Sequence, residues 1–203
     1  MRRILPIVLL LACSRGEVDD KSAVTQSTAR AVASGDGLDS ALLRPCGLER
    51  RSNVTGQGIG EIQIGRKPEA IALACTIARD TTALGAEALP ERLLFVATPF
   101  DTVEVTIHDN RVWRIAFERP ALRTADSLGV GSTLAELLRT NGATGAEGEG
   151  VLYVLLPTHC GVSFRLGYEL QDDGHRQNWN RHDLGKLPPT VRVSKVLVTG
   201  CGR

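Results

Sequence analysis

Ile62-Gln63-Ile64-Gly65 and Leu128-Gly129-Val130-Gly131 are two copies of one pattern: alternating apolar residues, then a glycine, then a helix start. The whole block Ile62 to Ile71 aligns with Leu128 to Leu137 without a gap, and three further blocks follow in the same order. Phe95 to Pro99 matches Tyr153 to Pro157, Val103 to Ile107 matches Val162 to Leu166, and Arg111 to Phe117 matches Arg192 to Val198. An internal repeat limits a fold more than composition does, because each copy must bury the same faces. The order helix, strand, strand, strand, twice over, predicts an α+β fold of two tandem repeats, each a helix on a three-stranded antiparallel sheet. The first repeat is expected over 42–120 and the second over 121–203, with an inserted loop at 167–189.

Local signals support the helix starts. Pro68 suits a first helical turn, and Ile71, Ala74, Cys75 and Ala78 share one helical face. Thr133 and Glu136 have capping-box spacing ahead of the apolar stripe Leu134, Leu137 and Leu138, and Asn141-Gly142 marks its end. Asp109-Asn110 is a two-residue turn of the kind that joins antiparallel strands. Trp113, alternating with Ile115 and Phe117, is expected in the core, and His108 at an exposed strand end.

The N-terminus carries an address. Met1-Arg2-Arg3 is basic, Ile4 to Ala12 is apolar, and Leu10-Leu11-Ala12-Cys13 places a small residue before a cysteine. This layout resembles the lipobox of bacterial lipoproteins, which implies a signal peptide over 1–12 and lipidation of Cys13. Residues 13–41 are rich in Ser, Thr, Ala, Gly and Asp and read as a flexible tether. By the same resemblance, Ser14 after the cysteine points to an envelope protein anchored in the outer membrane and facing the periplasm. Lys and Arg total 24 against 23 Asp and Glu, so bulk charge gives no support to nucleic-acid binding, and membrane attachment falls to acyl chains.

Removing Cys13 leaves Cys46, Cys75, Cys160 and Cys201, an even set in an exported chain, where disulfides persist. Four cysteines allow three pairings. The hairpin geometry of the second repeat places Cys160, just before a strand, near Cys201, just after its partner; this favours Cys160 with Cys201 and leaves Cys46 with Cys75. No Cys-x-x-Cys occurs, and the adjacent His159 and Cys160 would point to opposite faces of a strand, so no metal site and no cofactor are expected.

The tandem pattern from about Gly56 to Cys201 also resembles the small α+β modules typified by beta-lactamase inhibitory protein and the BamE (SmpA) lipoproteins. That resemblance implies a scaffold whose sheet surface or loops bind other proteins. Within the insertion, His175, Arg176, Trp179, Arg181 and His182 are the candidate partner-binding residues, since Trp and Arg are enriched among binding hot spots. Gly-x-Ser-x-Gly and His-Glu-x-x-His are absent, and Gly56-Gln57-Gly58-Ile59-Gly60 lacks the Lys-Ser or Lys-Thr of a phosphate loop. The expectation is therefore a protein-binding or accessory envelope module, not an enzyme. The alternatives are a metal-dependent or other hydrolase built on the His and Asp residues of 172–183 and a carrier of a small apolar ligand.

Overall fold

Alternation in the strand blocks has a direct structural result: one residue set faces a shared core and the other faces away. The computed structural model describes residues 46–48, 53–85, 88–99, 102–148, 150–169 and 178–202. The signal, Cys13, the tether, His175 and Arg176 lie outside the described residues.

The first half begins with a small hairpin, β1 (Gly58–Ile59) and β2 (Ile62–Gln63), then α1 (Pro68–Ala74). Four strands follow: β3 (Thr76–Leu84), β4 (Pro90–Ala97), β5 (Thr102–His108) and β6 (Arg111–Phe117). The second half contains α2 (Leu134–Leu137), β7 (Thr144–Gly148), β8 (Val151–Leu155), a 3-10 turn at Pro157–His159 and β9 (Val162–Glu169). Its insertion supplies β10 (Asn178–Trp179) and α3 (Arg181–Leu184), and β11 (Val193–Val198) completes it.

These elements overturn the expected α+β class with its two helix-plus-three-stranded repeats. The protein is mostly β, with one antiparallel sheet of nine strands ordered β10-β7-β8-β9-β11-β6-β5-β4-β3, beside the two-stranded β1–β2 hairpin. Only the two-residue β10 is a minor member of the large sheet. The helices shrink to seven, four and four residues. Besides the two-residue β10, two strands of the large sheet, β3 and β7, were hidden in the sequence. Helix α1 stops at Ala74 because Cys75 takes an extended conformation and is held to Cys46, and the β-branched Thr76-Ile77 and Thr81-Thr82 then favour strand. Ala78, expected on the buried helical face, is an exposed strand residue. Strand β7 reads Thr-Gly-Ala-Glu-Gly, with no apolar alternation, and is held by pairing to β8 and β10.

The aligned sequence blocks fall on β4 and β8, β5 and β9, and β6 and β11. The two halves meet where β6 pairs with β11, in the register Phe117 with Val196, Ala116 with Leu197, and Ile115 with Val198. In the alignment Ala116 matches Leu197, Ile115 matches Val196 and Phe117 matches Val198. Each pair is thus the mirror of another, and a local two-fold relation passes through Ala116 and Leu197. The β4 and β8 blocks are offset by two residues: Phe95 pairs with Glu104, whereas Ser163, the match of Glu104, pairs with Leu155.

One face of the sheet carries the core. Val96, Val105, Ile115, Val154, Phe164, Val196 and Val198 pack in one cluster with Ile71 of α1, Leu134 and Leu137 of α2, and Leu184 of α3. Cys46 and Cys75 are at disulfide distance, as are Cys160 and Cys201, with Cα–Cα separations of 4.5 and 5.2 Å. The second bridge ties the end where Val162 of β9 pairs with Val198 of β11. Thr133 and Glu136 form both halves of the capping box, and the hydrogen bonds from the Thr133 N–H and hydroxyl hold the Glu136 carboxyl below its usual pKa. Asp109 and Asn110 both take positive φ, 48° and 55°, as a tight hairpin turn requires.

Trp113 departs from its expected core position. The pairing of β5 with β6 moves from Thr106–Arg114 to Ile107–Val112, which leaves Trp113 as the extra residue of a bulge. It is 45% exposed, with its ring 6.0 Å from that of His108.

Candidate functional site

Register places one unbroken row of side chains across the sheet face opposite the core: Arg79, Phe95, Glu104, Ala116, Leu197, Ser163, Leu155 and Thr144. At about 4.8 Å per strand the row spans about 34 Å. A second row runs through Lys195, Arg165, Tyr153 and Ala146. Phe95, Glu104, Tyr153, Arg165, Lys195 and Leu197 are all half-buried. They are screened by one another and remain open enough to touch another molecule.

The electrostatics of this face are specific. The Arg79 guanidinium lies 3.9 Å from the Phe95 ring centroid, a cation–π contact. Arg114 meets Glu91 at 3.5 Å, and Lys195 meets Glu118 at 2.9 Å. The small side chain of Ala116 leaves a cavity of about 270 Å³ at the centre, walled by Phe95, Thr102, Glu104, Glu118 and Lys195. The Nε atoms of Arg114 and Arg165 are buried and have no hydrogen-bond partner among the described residues. The Nε1 atom of Trp179 is buried without a partner in the same way. At the sheet edge, Arg92 holds Asp80 through two bonds of 3.0 and 2.7 Å; the hydrogen bond lowers the Asp80 pKa against the opposing effect of burial.

Of the candidate partner-binding residues in the insertion, Trp179, Arg181 and His182 lie among the described residues. Trp179 sits over Gly145 and packs against the core; a Cβ on Gly145 would come within 2.8 Å of its own Cβ. Arg181 donates to the Thr140 carbonyl at 2.7 Å and to the Leu138 carbonyl, closing the end of α2. Only His182 of the described candidates is a freely exposed side chain, on α3. Trp179 and Arg181 are therefore engaged in holding the insertion to the body, away from the row through Phe95 and Leu197. Among the described residues, no group of three His, Cys, Asp or Glu side chains is arranged to hold a metal ion.

A second polar cluster escaped sequence reading. Asp126, in the segment before α2, meets His159 Nε2 at 2.9 Å, and the other ring nitrogen of His159 meets the Thr158 hydroxyl at 2.8 Å. Thr124 donates its hydroxyl to the same Asp126 oxygen at 2.5 Å. Partial burial works to raise the Asp126 pKa, but the bonds from Thr124 and His159 outweigh it and the net shift is downward. Asp126 also borders a polar cavity of about 600 Å³ lined by Thr133, Glu136, Arg139 and Arg192. Asp126 and His159 are 33 positions apart, so no local motif could have joined them.

No protein-family model matches the chain, and no curated protein matches it. Among solved structures it is similar to the uncharacterized protein yfeY from Escherichia coli, with a TM-score of 0.53 and 17% identity. That match covers 73% of this chain and 99% of the other. At this identity the likeness shows a shared fold alone.

Proposed function

We propose that this is a lipid-anchored envelope protein whose open sheet face docks a protein partner presenting acidic and apolar side chains. The observation that carries the reading is the half-buried row through Phe95, Glu104 and Leu197, flanked on the same face by the guanidinium groups of Arg114 and Arg165. Guanidinium groups suit carboxylates on such a partner, and guanidinium–carboxylate bonds are among the stronger hydrogen bonds in proteins. Phe95, Tyr153 and Leu197 give such a partner apolar area to cover. The basic start, the apolar run Ile4 to Ala12 and Cys13 support export and lipidation, with the outer membrane facing the periplasm as the proposed site.

The test is crosslinking in cells with the full chain, identification of the captured protein, and direct binding with that protein purified. Arg165→Ala and Phe95→Ala are each expected to weaken binding by about tenfold or more. Arg181→Ala should act on stability and leave affinity unchanged. Equal affinity for all three variants and the parent would eliminate the open face as the docking surface. Separately, Cys13→Ser should move the chain from the membrane fraction to the soluble fraction; retention in the membrane would refute the anchor.

A further inference from the structure

Thr158, His159 and Asp126 form a hydrogen-bonded chain from an exposed hydroxyl, through a largely buried imidazole, to a half-exposed carboxylate. Thr124 Oγ1 accepts from the Leu128 N–H at 3.0 Å, and its own proton has two acceptors in reach, Asp126 Oδ1 at 2.5 Å and the Leu128 carbonyl at 3.2 Å, of which Asp126 is the nearer. With Asp126 ionised, the matching tautomer of His159 carries its proton on Nε2, facing the carboxylate. Nδ1 then presents a lone pair to the Thr158 hydroxyl. The ring is further fixed by an edge contact with Phe164, at a centroid distance of 6.2 Å and an interplanar angle of 72°. A hydroxyl, a base within bonding reach and a third group orienting the base are the parts of an activated oxygen nucleophile. We infer that Thr158 is such a nucleophile and accepts acyl groups from small carboxylic esters.

The chemistry balances without any co-reactant beyond water. Thr158 Oγ1 forms a bond to the ester carbonyl carbon as its proton passes to His159 Nδ1. The carbon–oxygen bond to the leaving alcohol then breaks, and that alcohol departs with the proton from Nδ1. Water, deprotonated by the same nitrogen, releases the carboxylic acid and restores the hydroxyl. Asp126 remains ionised throughout and acts as the positioning residue that stabilises the imidazolium. The His159 N–H, adjacent in sequence to the nucleophile, is already bonded to the Leu156 carbonyl at 2.9 Å. It is thus not free to stabilise a developing oxyanion, and loss of one such donor costs about 100- to 1,000-fold in rate. Acylation is therefore expected to be slow. This centre lies apart from the open-face row and is independent of the docking reading.

The full chain is incubated with p-nitrophenyl acetate, with nitrophenol release followed and the adduct located by peptide mass spectrometry. The expected result is acetylation at Thr158, retained in Thr158→Ser, lost in Thr158→Val and slowed at least about 100-fold in His159→Gln. Thr158→Val leaves the His159–Asp126 bond in place, so its thermal midpoint should stay close to that of the parent and separate chemistry from folding. Absence of an adduct at Thr158, or labelling there that His159→Gln leaves unchanged while the chain stays folded, would overturn the inference.

Discussion

Asp126 shows how a single carboxylate can be read in two directions. Burial works to raise its pKa, but its hydrogen bonds outweigh burial and hold it below the ordinary aspartate value, so the folded state favours the ionised form. The stability linked to this group is complete above the unfolded pKa and is lost as pH falls through the lower folded value. Asp126→Asn should therefore remove one contribution to the acid limb of a stability–pH curve below about pH 4, measurable as a shallower fall in thermal midpoint. Phe164 gives a cleaner residue-scale prediction. It is fully buried on the core face of β9, and Phe164→Ala should cost about 3–5 kcal/mol in urea denaturation. The same residue was legible in the sequence through strict alternation from Val162 to Leu166. Trp113 was not, because a bulge is set by the partner strand and leaves no mark on its own strand's pattern.

At the level of elements, legibility followed whether the signal was local. The Asp109-Asn110 turn, the Pro68 helix start and the Thr133 capping box are chemistry within a few residues, and the structure contains each. β3 and β7 were missed because their strand state comes from neighbours. Ile71, Ala74, Cys75 and Ala78 fit a helical face equally well until the Cys46 bridge and β4 pairing decide against it. The candidate site suffered most, since Phe95, Glu104 and Leu197 become a row only through cross-strand register, as do Tyr153 and Arg165. The insertion attracted attention by its composition, yet Asn180 caps α3 and Leu184 is fully buried beneath it. Two disulfides brace these elements. The sequence separations of 29 and 41 correspond, in the chain-entropy account, to about 3.5–4 kcal/mol each. Replacing Cys160 and Cys201 together by Ser should lower the unfolding free energy by an amount of that order and steepen the denaturant slope, since the unfolded chain is no longer held compact by the crosslink. Gly56 packs against the same bridge: an added Cβ would meet the Cys160 carbonyl oxygen at 1.9 Å and Cys201 Sγ at 2.7 Å. Gly56→Ala should consequently destabilise the fold and raise the fraction of free thiol at these two cysteines, measurable by thiol labelling.

For the whole described body, the continuous sheet and its single apolar cluster predict one cooperative unfolding transition instead of two. The protein contains two tryptophans, Trp113 in the first half and Trp179 in the second, which serve as separate reporters. Fluorescence of Trp113 alone in Trp179→Phe, and of Trp179 alone in Trp113→Phe, should each coincide with the circular dichroism transition of the same variant. Divergent midpoints between the fluorescence and dichroism of one variant would show that the β6–β11 seam lets the halves unfold separately. That seam has a further consequence. A pair of identical subunits joined in this way would fall apart on dilution, and any change in one would appear in the other. Written into a single polypeptide, the junction is permanent and each side is free to drift. Arg79 can stack on Phe95 on one wing while Arg165 stands across from Tyr153 on the other, so a frame with matched halves can present a surface with a distinct left and right.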